Sequence, residues 1–205
     1  MNDYRDDLKQ CLDWIPKNAK VLDVGCNDGE LMALMQQHRG AKVQGIELDA
    51  DKVQSCISKG LAVIQGDANT DLSDYPDQAF DIAVLSQTLQ AMLQPRATLH
   101  ELGRLAPKII VSTPNFAYWR GIVQLLFAGR MPMTKHLPVM WYETPNIHLC
   151  TITDFLELAA LEGFSIRDGA CFDGNGSAKA WEVSGLSARL LATQASFLLE
   201  KKPQQ

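Results

Sequence analysis

The sequence predicts an α/β fold in which a mostly parallel sheet carries helices on both faces. Two observations indicate this class. Short apolar runs bounded by turn residues alternate with runs of helical apolar spacing, which is the pattern of consecutive β-α units. The chain also has 205 residues, 46% of them hydrophobic, which is enough for one domain with a sizeable core. We therefore expect a single domain over residues 1–205.

The predicted elements follow one another closely along the chain. The first half predicts a helix at 4–14, a strand at 21–24, a helix from Glu30 to Gly40, a strand at 42–48, a helix at 51–59 and a strand at 62–65. The second half predicts a polar connection at 71–78, a strand at 80–85, a helix at 95–105, a strand at 109–111, a helix around Leu158 and Leu161, a strand at 164–172, a short helical stretch at 186–192 and a strand at 196–199. These are seven strands, and the very apolar fourth one is expected to be central.

Composition and charge exclude several classes of function. A net charge of −5, a pI near 5.3 and the lack of Lys or Arg runs argue against nucleic acid as a partner. The acidic N-terminus lacks the apolar core of a signal peptide, and no apolar stretch is long enough to span a bilayer, so we expect a cytoplasmic protein without a membrane partner. Five cysteines without a C-x-x-C pair suggest neither a disulfide framework nor a zinc site, and we expect no metal.

The strand at 21–24 runs into a glycine turn that is the strongest candidate for a ligand site. Gly25 and Gly29 frame a tight turn into the next helix. A dinucleotide fingerprint beginning at Gly25 would need glycines at positions 27 and 30, where this chain has Asn27 and Glu30. A nucleotide-binding dehydrogenase is therefore disfavoured. The alternative is a turn that only joins a strand to a helix.

The charges around this turn favour a cationic ligand. Asp23 precedes the turn and Asp28 lies within it, where a pyrophosphate would otherwise sit on helix amides. The D-x-G-x-x-x-G pattern resembles the first motif of class I S-adenosylmethionine-dependent methyltransferases. That family prefers glycine where Asn27 stands, and Asn is a residue that tolerates positive φ. The resemblance implies a seven-stranded Rossmann-like sheet with an antiparallel last strand, S-adenosylmethionine as cofactor and S-adenosylhomocysteine as product.

Two further carboxylates match positions of the methyltransferase pattern. Glu47 follows Gly29 by 18 residues, and the resemblance assigns it the ribose hydroxyls. Asp49 is its competitor, although it is more simply the N-cap of the next helix. The resemblance assigns the adenine amine to Asp67, whose alternative is a loop Asp that satisfies its own turn. The predicted cofactor residues lie in the glycine turn and at the following strand ends: Asp23, Gly25, Cys26, Asn27, Gly29, Glu47, Leu48, Asp67, Ala68 and Ser86.

A long insertion after the fifth strand narrows the resemblance. It reads S-T-P-N-F-A-Y-W-R at 112–120, G-R-M-P-M-T-K at 129–135 and W-Y-E-T-P-N-I-H-L-C-T-I at 141–152. Together with S-Q-T-L-Q-A at 86–91 and V-I-Q-G-D at 63–67, these segments resemble the MetW family of methionine-biosynthesis proteins over residues 8–165. The segment at 86–90 lacks the Asn-Pro-Pro-aromatic signature of amine-directed nucleic-acid methyltransferases.

The resemblance implies two roles of different classes. The first is an S-adenosylmethionine-dependent methyltransferase in methionine biosynthesis, whose acceptor the sequence does not name. The alternative is a non-catalytic accessory or regulatory subunit of a homoserine O-acyltransferase of the MetX type, because the family is associated with that enzyme. No residue is assigned to catalysis, since fold alone does not fix function and no acid-base pair stands out.

The insertion, at about 114–150, is expected to form a cap over the strand tips. It is too long for a plain connection. The aromatic residues could line an apolar pocket, with Lys135 among the polar contacts, or face a partner protein, or pack the insertion onto the sheet. Pocket and partner surface are weighted equally. The candidate substrate or partner residues are Trp119, Arg120, Arg130, Trp141, Tyr142 and His148.

Overall fold

The computed structural model describes residues 6–134 and 137–202. The strands are Lys20–Val24 (β1), Lys42–Glu47 (β2), Ala62–Gln65 (β3), Ile82–Ser86 (β4), Lys108–Pro114 (β5), Phe164–Phe172 (β6), Ala178–Lys179 (β7) and Gln194–Lys201 (β8). The helices are Asp6–Trp14 (α1), Glu30–Arg39 (α2), Ala50–Ser58 (α3), Pro95–Leu105 (α4), Trp119–Ala128 (α5), Ile152–Leu161 (α6) and Leu186–Leu191 (α7), with 3₁₀ helices at Asp71–Asp74 and Leu89–Ala91. Residues 4 and 5 of the first predicted helix, and Lys135, lie outside the described residues.

The strands form one sheet in the order β3-β2-β1-β4-β5-β8-β6-β7. β1 to β5 pair with one another in parallel, and β8 lies antiparallel between β5 and β6. The mostly parallel sheet with an antiparallel last strand is therefore confirmed. The order reverses between β1 and β4, and in open sheets of this kind ligands bind outside the carboxyl ends of the strands at such a point.

The predicted count of seven strands is wrong by one. The additional strand, β7, has two residues and pairs with the end of β6. The turn between them is closed by Asp173, whose carboxylate accepts hydrogen bonds from the amides of Asn175 and Ser177. Two residues are too few to produce the alternation by which a strand is recognised in sequence.

Local sequence features explain where the helices around the site begin and end. The amide of Gly40 donates to carbonyls of the last turn of α2, and its φ of 62° suits glycine. The carboxylate of Asp49 accepts from the amides of Asp51 and Lys52 and so caps α3. The N-cap role expected for Asp49 is thus confirmed. α6 begins with a capping box between Thr151 and Asp154.

Buried apolar residues form two clusters, one on each face of the sheet. Leu22 and Val24 belong to one cluster and Val21 to the other, and β4 divides in the same alternating way. Among the described residues, no helix is long and apolar enough to cross a membrane. Nor does that part of the chain contain a group of three or more His, Cys, Asp or Glu residues that could hold a metal ion.

Candidate functional site: a cleft at the strand ends

The glycine turn after β1 uses three residues in the left-handed region. The φ angles are 70° at Gly25, 53° at Asn27 and 79° at Gly29. Asn27 thus adopts the positive φ that its residue type was expected to tolerate. The amide of Gly25 donates to the carbonyl of Ile46 at 2.8 Å, so the turn is fastened to β2. A Cβ at Gly29 would lie 2.3 Å from Leu61 Cδ1, which explains why a side chain is not accommodated there.

Asp23 is a buried carboxylate at the foot of this turn. Its exposed fraction is 1%, and the carboxylate makes no hydrogen bond to any residue that the structure describes. Burial raises the pKa of Asp23 to about 7, and the negative charge of Glu47 adds to the shift. An unpaired buried carboxylate is costly for the protein alone and is stabilised by a cation placed beside it.

Glu47 ends β2 with its carboxylate fixed by three backbone amides. Oε2 accepts from the amide of Asn27 at 2.8 Å, and Oε1 accepts from the amides of Leu48 and Asp49 at 2.9 and 3.0 Å. The bond from Asn27 ties the tip of β2 to the glycine turn of β1, and the other two fix the carboxylate to its own segment. The carboxylate is therefore held in one orientation at the edge of the cleft, which is the arrangement needed to accept hydrogen bonds from a ligand.

The tips of β2 and β3 lie side by side, since the amide of Gly66 donates to the carbonyl of Glu47 at 3.0 Å. Leu48 presents an apolar side chain here that is 65% exposed. Oδ1 of Asp67 accepts from the amide and the side-chain nitrogen of Asn69, so this oxygen serves its own turn as the alternative interpretation expected. No bond within the described residues occupies Oδ2 of Asp67, and Ala68 is half-buried beside it.

The segment after β4 forms the opposite wall of the cleft. Ser86 ends the strand, and its carbonyl accepts from Thr88 Oγ1 at 3.0 Å. Thr88 lies against Gly25, because a Cβ built on that glycine would be 2.5 Å from Thr88 Cγ2. The sequence analysis included Thr88 in the segment 86–91 but did not select it as a site residue, and the signal available was its place just after the fourth strand.

Cys26 contributes its backbone rather than its thiol to the turn. Its side chain is buried next to Gly45, whose Cβ would lie 2.6 Å from Cys26 Sγ. Burial is the main cause of the raised pKa of the Cys26 thiol, with a further contribution from Asp23. The thiol is therefore protonated at neutral pH and is unsuited to nucleophilic chemistry.

The predicted substrate or partner residues of the insertion do not line the hollow that the structure shows in this segment. Arg120 stacks on Trp119 with its guanidinium carbon 5.4 Å from the ring centroid, and Trp141 contacts Tyr142 edge-on at 5.6 Å. These four side chains are exposed, as is Arg130. A hollow at the start of the insertion has room for about one water molecule. Its lining residues are Asn115, Phe116, Tyr118, Gly121, Pro132, Thr134, Leu137 and Thr193.

The far end of the insertion is attached to the same wall as Thr88. The carbonyl of Gln90 accepts from the amides of Ile147 and His148, both at 2.9 Å. His148 Nε2 lies 3.4 Å from the carbonyl oxygen of Leu93. His148 is thus bonded to this junction through its amide and its ring, and within the described residues it pairs with no second titratable group.

Comparison with known proteins gives a family and a fold. A protein-family model described as methionine biosynthesis protein MetW matches residues 5–199. The bifunctional methionine biosynthesis protein MetXA/MetW of Rhodopirellula baltica is 32% identical over 161 residues, which are 74% of this chain and 26% of that protein. The ribosomal protein L11 methyltransferase of Methylobacillus flagellatus is 32% identical over 107 residues, or 50% of this chain and 36% of that one. The chain thus spans about a quarter to a third of the length of these relatives.

Solved structures share the architecture. A SAM-dependent methyltransferase from Archaeoglobus fulgidus superposes with a TM-score of 0.72 at 15% identity, covering 96% of this chain and 92% of the other. The [4+2]-cyclase SpnF superposes with a TM-score of 0.66 at 18% identity, covering 97% and 82%. The fold is therefore the Rossmann-like methyltransferase fold. A neighbour named as a cyclase illustrates that this fold does not by itself specify methyl transfer.

Proposed function

Because the chain belongs to the MetW family of methionine biosynthesis proteins, we propose that it binds S-adenosylmethionine in the cleft at the carboxyl ends of β1 to β4. Its task in methionine biosynthesis would then be performed through this site. The structural neighbours named as SAM-dependent methyltransferases support the choice of cofactor.

Asp23 is the observation that carries the proposal. The protein buries this carboxylate without a hydrogen-bonding partner among the described residues, and it places Glu47 close enough to raise its pKa. S-adenosylmethionine carries an ammonium and a sulfonium and no phosphate. A cationic ligand would stabilise the ionised form of Asp23, whereas the pyrophosphate of a dinucleotide would be repelled.

The neighbouring groups suit the adenosine half of the same ligand. The fixed carboxylate of Glu47 would accept from the two ribose hydroxyls, and the exposed side chain of Leu48 offers an apolar face for adenine. The bonds from Asn69 to Oδ1 hold the carboxylate of Asp67 in place, and they leave Oδ2 as an acceptor for the adenine amine. The backbone of Gly25, Cys26, Asn27 and Gly29, with Ala68 and Ser86, would complete the cofactor contacts.

As an enzyme, the chain would methylate an acceptor placed over the strand ends. Bound S-adenosylmethionine supplies a methyl group already activated by its sulfonium, and the product would be S-adenosylhomocysteine. The protein would need mainly to hold the two reactants close together and in line. For this reason we assign no catalytic acid or base.

As an accessory subunit, the chain would bind the same cofactor and modulate a homoserine O-acyltransferase of the MetX type. The relative whose name joins MetXA and MetW in one polypeptide favours this second role. The exposed aromatic residues of the insertion favour it as well, since they face outwards instead of enclosing an acceptor. Modulation would require that the cofactor bind the free and the associated chain with different affinities.

Calorimetric titration of the purified chain tests the proposal. We expect saturable binding of S-adenosylmethionine and S-adenosylhomocysteine and no binding of NADH. Tight NADH binding without uptake of either sulfur compound would contradict the cofactor assignment. One further assay distinguishes the two roles. Stimulation of a purified homoserine O-acyltransferase without formation of S-adenosylhomocysteine indicates the accessory role. Conversion of S-adenosylmethionine to S-adenosylhomocysteine with a defined acceptor indicates the enzyme.

A further inference from the structure

The insertion exposes many large apolar side chains. We call the exposed apolar residues of 119–149 the cap surface. Its members are Trp119, Ile122, Val123, Leu125, Leu126, Phe127, Met131, Met133, Val139, Met140, Trp141, Tyr142, Ile147 and Leu149. Exposed apolar side chains concentrated in one segment of a protein indicate a candidate interaction site.

α5 makes the strongest case, because most of its residues are large, apolar and exposed. Its exposed residues include Leu126 at 72% and Phe127 at 81%, and Gly121 is its buried residue. The apolar face of an amphipathic helix is normally covered by other parts of the protein. Within the described residues, α5 contacts its own chain around Gly121, where a Cβ would come within 3.3 Å of Pro132, and at Gln124, whose Oε1 accepts from the amide of Met133. The exposed apolar residues on the other sides of α5 would be buried only by contact with something outside the described residues.

The residue types of the cap surface are those of a protein–protein interface. Interface cores are enriched in Trp, Tyr, Phe, Met and Arg and depleted of Lys, Glu and Asp. The described part of 119–149 contains two Trp, three Met, Tyr142, Arg120 and Arg130, and Glu143 is its single acidic residue. The segment is thus locally basic in a chain whose net charge is −5. A matching partner would present apolar residues with carboxylates at their margin.

Neither a lipid surface nor a small acceptor fits the cap surface as well. Helices that lie on membranes carry a strongly charged polar face, and α5 has one charged residue, Arg120. The hollow beside α5 admits about one water molecule, so it cannot enclose a drug-sized acceptor. A protein partner remains, and the bifunctional relative provides its class, because there a MetXA part and a MetW part share one polypeptide.

We propose that the cap surface is the docking surface for an acyltransferase of the MetX type, an inference that rests on the accessory role proposed above. The surface begins beside the cofactor cleft, since Ile147 and His148 are bonded to Gln90 in the 3₁₀ helix that follows Thr88. A partner seated on α5 and the following loop would therefore lie next to the cofactor. Arg120 and Arg130 would face its carboxylates.

A matched pair of substitutions tests the docking surface. Leu126→Glu places a charge on the cap surface at a leucine that is 72% exposed, whereas Leu161→Glu places the same charge at an equally open leucine, 76% exposed, at the end of α6. The probe is a purified homoserine O-acyltransferase of the same organism, with binding followed by biolayer interferometry. We expect Leu126→Glu to weaken binding at least tenfold and Leu161→Glu to leave it unchanged. Thermal melting and calorimetry with S-adenosylmethionine on both variants serve as controls for an intact fold and an intact cofactor site.

Several outcomes would overturn the proposal. One is binding of the acyltransferase by Leu126→Glu with wild-type affinity. Another is that the wild-type chain does not bind the acyltransferase and instead forms a dimer or binds anionic vesicles, and that Leu126→Glu abolishes this other interaction. These results leave the cofactor proposal standing if S-adenosylmethionine still binds. Conversely, the wild-type chain could bind the acyltransferase through Leu126 and yet show no affinity for S-adenosylmethionine. That result would support the docking surface and contradict the cofactor site.

Discussion

The side chain of Thr88 lies directly on the backbone of Gly25, so that a Cβ at this glycine would be 2.5 Å from Thr88 Cγ2 and 2.7 Å from its hydroxyl oxygen. This contact joins the turn after β1 to the segment after β4. Gly25 is therefore constrained twice, by its φ of 70° and by the close approach of Thr88.

The first prediction concerns Gly25→Ala. Strain at positive φ and the collision with Thr88 should together lower the free energy of unfolding by roughly 2–4 kcal/mol. Displacement of the turn should also reduce the affinity for S-adenosylmethionine at least tenfold. Chemical denaturation and calorimetry measure the two effects.

Gly60→Ala is the matched control for this substitution. Gly60 has a φ of 73°, and a Cβ there would meet nothing within 4 Å. The control should therefore show the cost of backbone strain alone, about 1 kcal/mol, with unchanged cofactor affinity. Equal losses of stability and affinity in both variants would contradict the role given to the contact with Thr88.

The second prediction concerns the pH dependence that Asp23 imposes. Its pKa is about 7 in the folded chain and near 3.9 when unfolded, so the folded state binds the proton more tightly. The free energy of unfolding should therefore fall as the pH rises from about 4 to 7, by roughly 4 kcal/mol if this group acted alone. Asp23→Asn removes the titration, and its stability should decline less over the same range.

Cofactor binding should show the opposite trend with pH. Because the ionised carboxylate attracts a cation, the affinity for S-adenosylmethionine should rise as the pH approaches 7 and then level off. Asp23→Asn should bind weakly at every pH. Parallel pH profiles of the wild type and the variant, in both stability and affinity, would show that Asp23 is not the responsible group.

The third prediction separates Glu47 from its neighbour Asp49. Glu47→Ala removes the carboxylate aimed at the ribose and should weaken cofactor binding by about 1–3 kcal/mol. Asp49→Ala removes the N-cap of α3 and should lower stability by about 0.5–2 kcal/mol with little change in affinity. Calorimetry and thermal melting on both variants provide the comparison. The reverse pattern would assign the ribose to Asp49.

Local rules of sequence account for the parts of this structure that were predicted well. The turn after β1 could be inferred because two glycines and an asparagine are residues that accept positive φ. The cap of α3 followed from an Asp immediately before a run of helical spacing. Such features depend on a few consecutive residues, and they placed the cofactor candidates at adjoining strand ends.

What the sequence did not reveal depends on contacts between distant segments. α5 is an exception, because its apolar residues do have the spacing of an amphipathic helix, with Arg120 and Gln124 together on one face, and this local signal was not used in the prediction. Thr88 carries no motif of its own, and its importance comes from packing on Gly25 across two loops. The strand β7 is defined only by its pairing with β6.

The fourth prediction follows from the junction at Gln90. If a ligand fixes the turn at Gly25, it also restrains Thr88 and the 3₁₀ helix Leu89–Ala91, whose Gln90 carbonyl holds the amides of Ile147 and His148. Hydrogen exchange of these two amides should therefore slow on addition of S-adenosylmethionine, by about fivefold or more, which is the lower end of ordinary coupling between sites. NMR or peptide-resolved mass spectrometry can follow the exchange.

The amide of Leu137 serves as the internal control for this measurement. It lies in the same insertion but is bonded to the carbonyl of Thr134, away from the Gln90 junction. Its exchange should be unaffected by the cofactor if restraint travels through Gln90 alone. If exchange slows at Leu137 as much as at Ile147, the cofactor stabilises the whole insertion. If exchange is unchanged at both amides, the cap surface and the cofactor cleft are energetically independent.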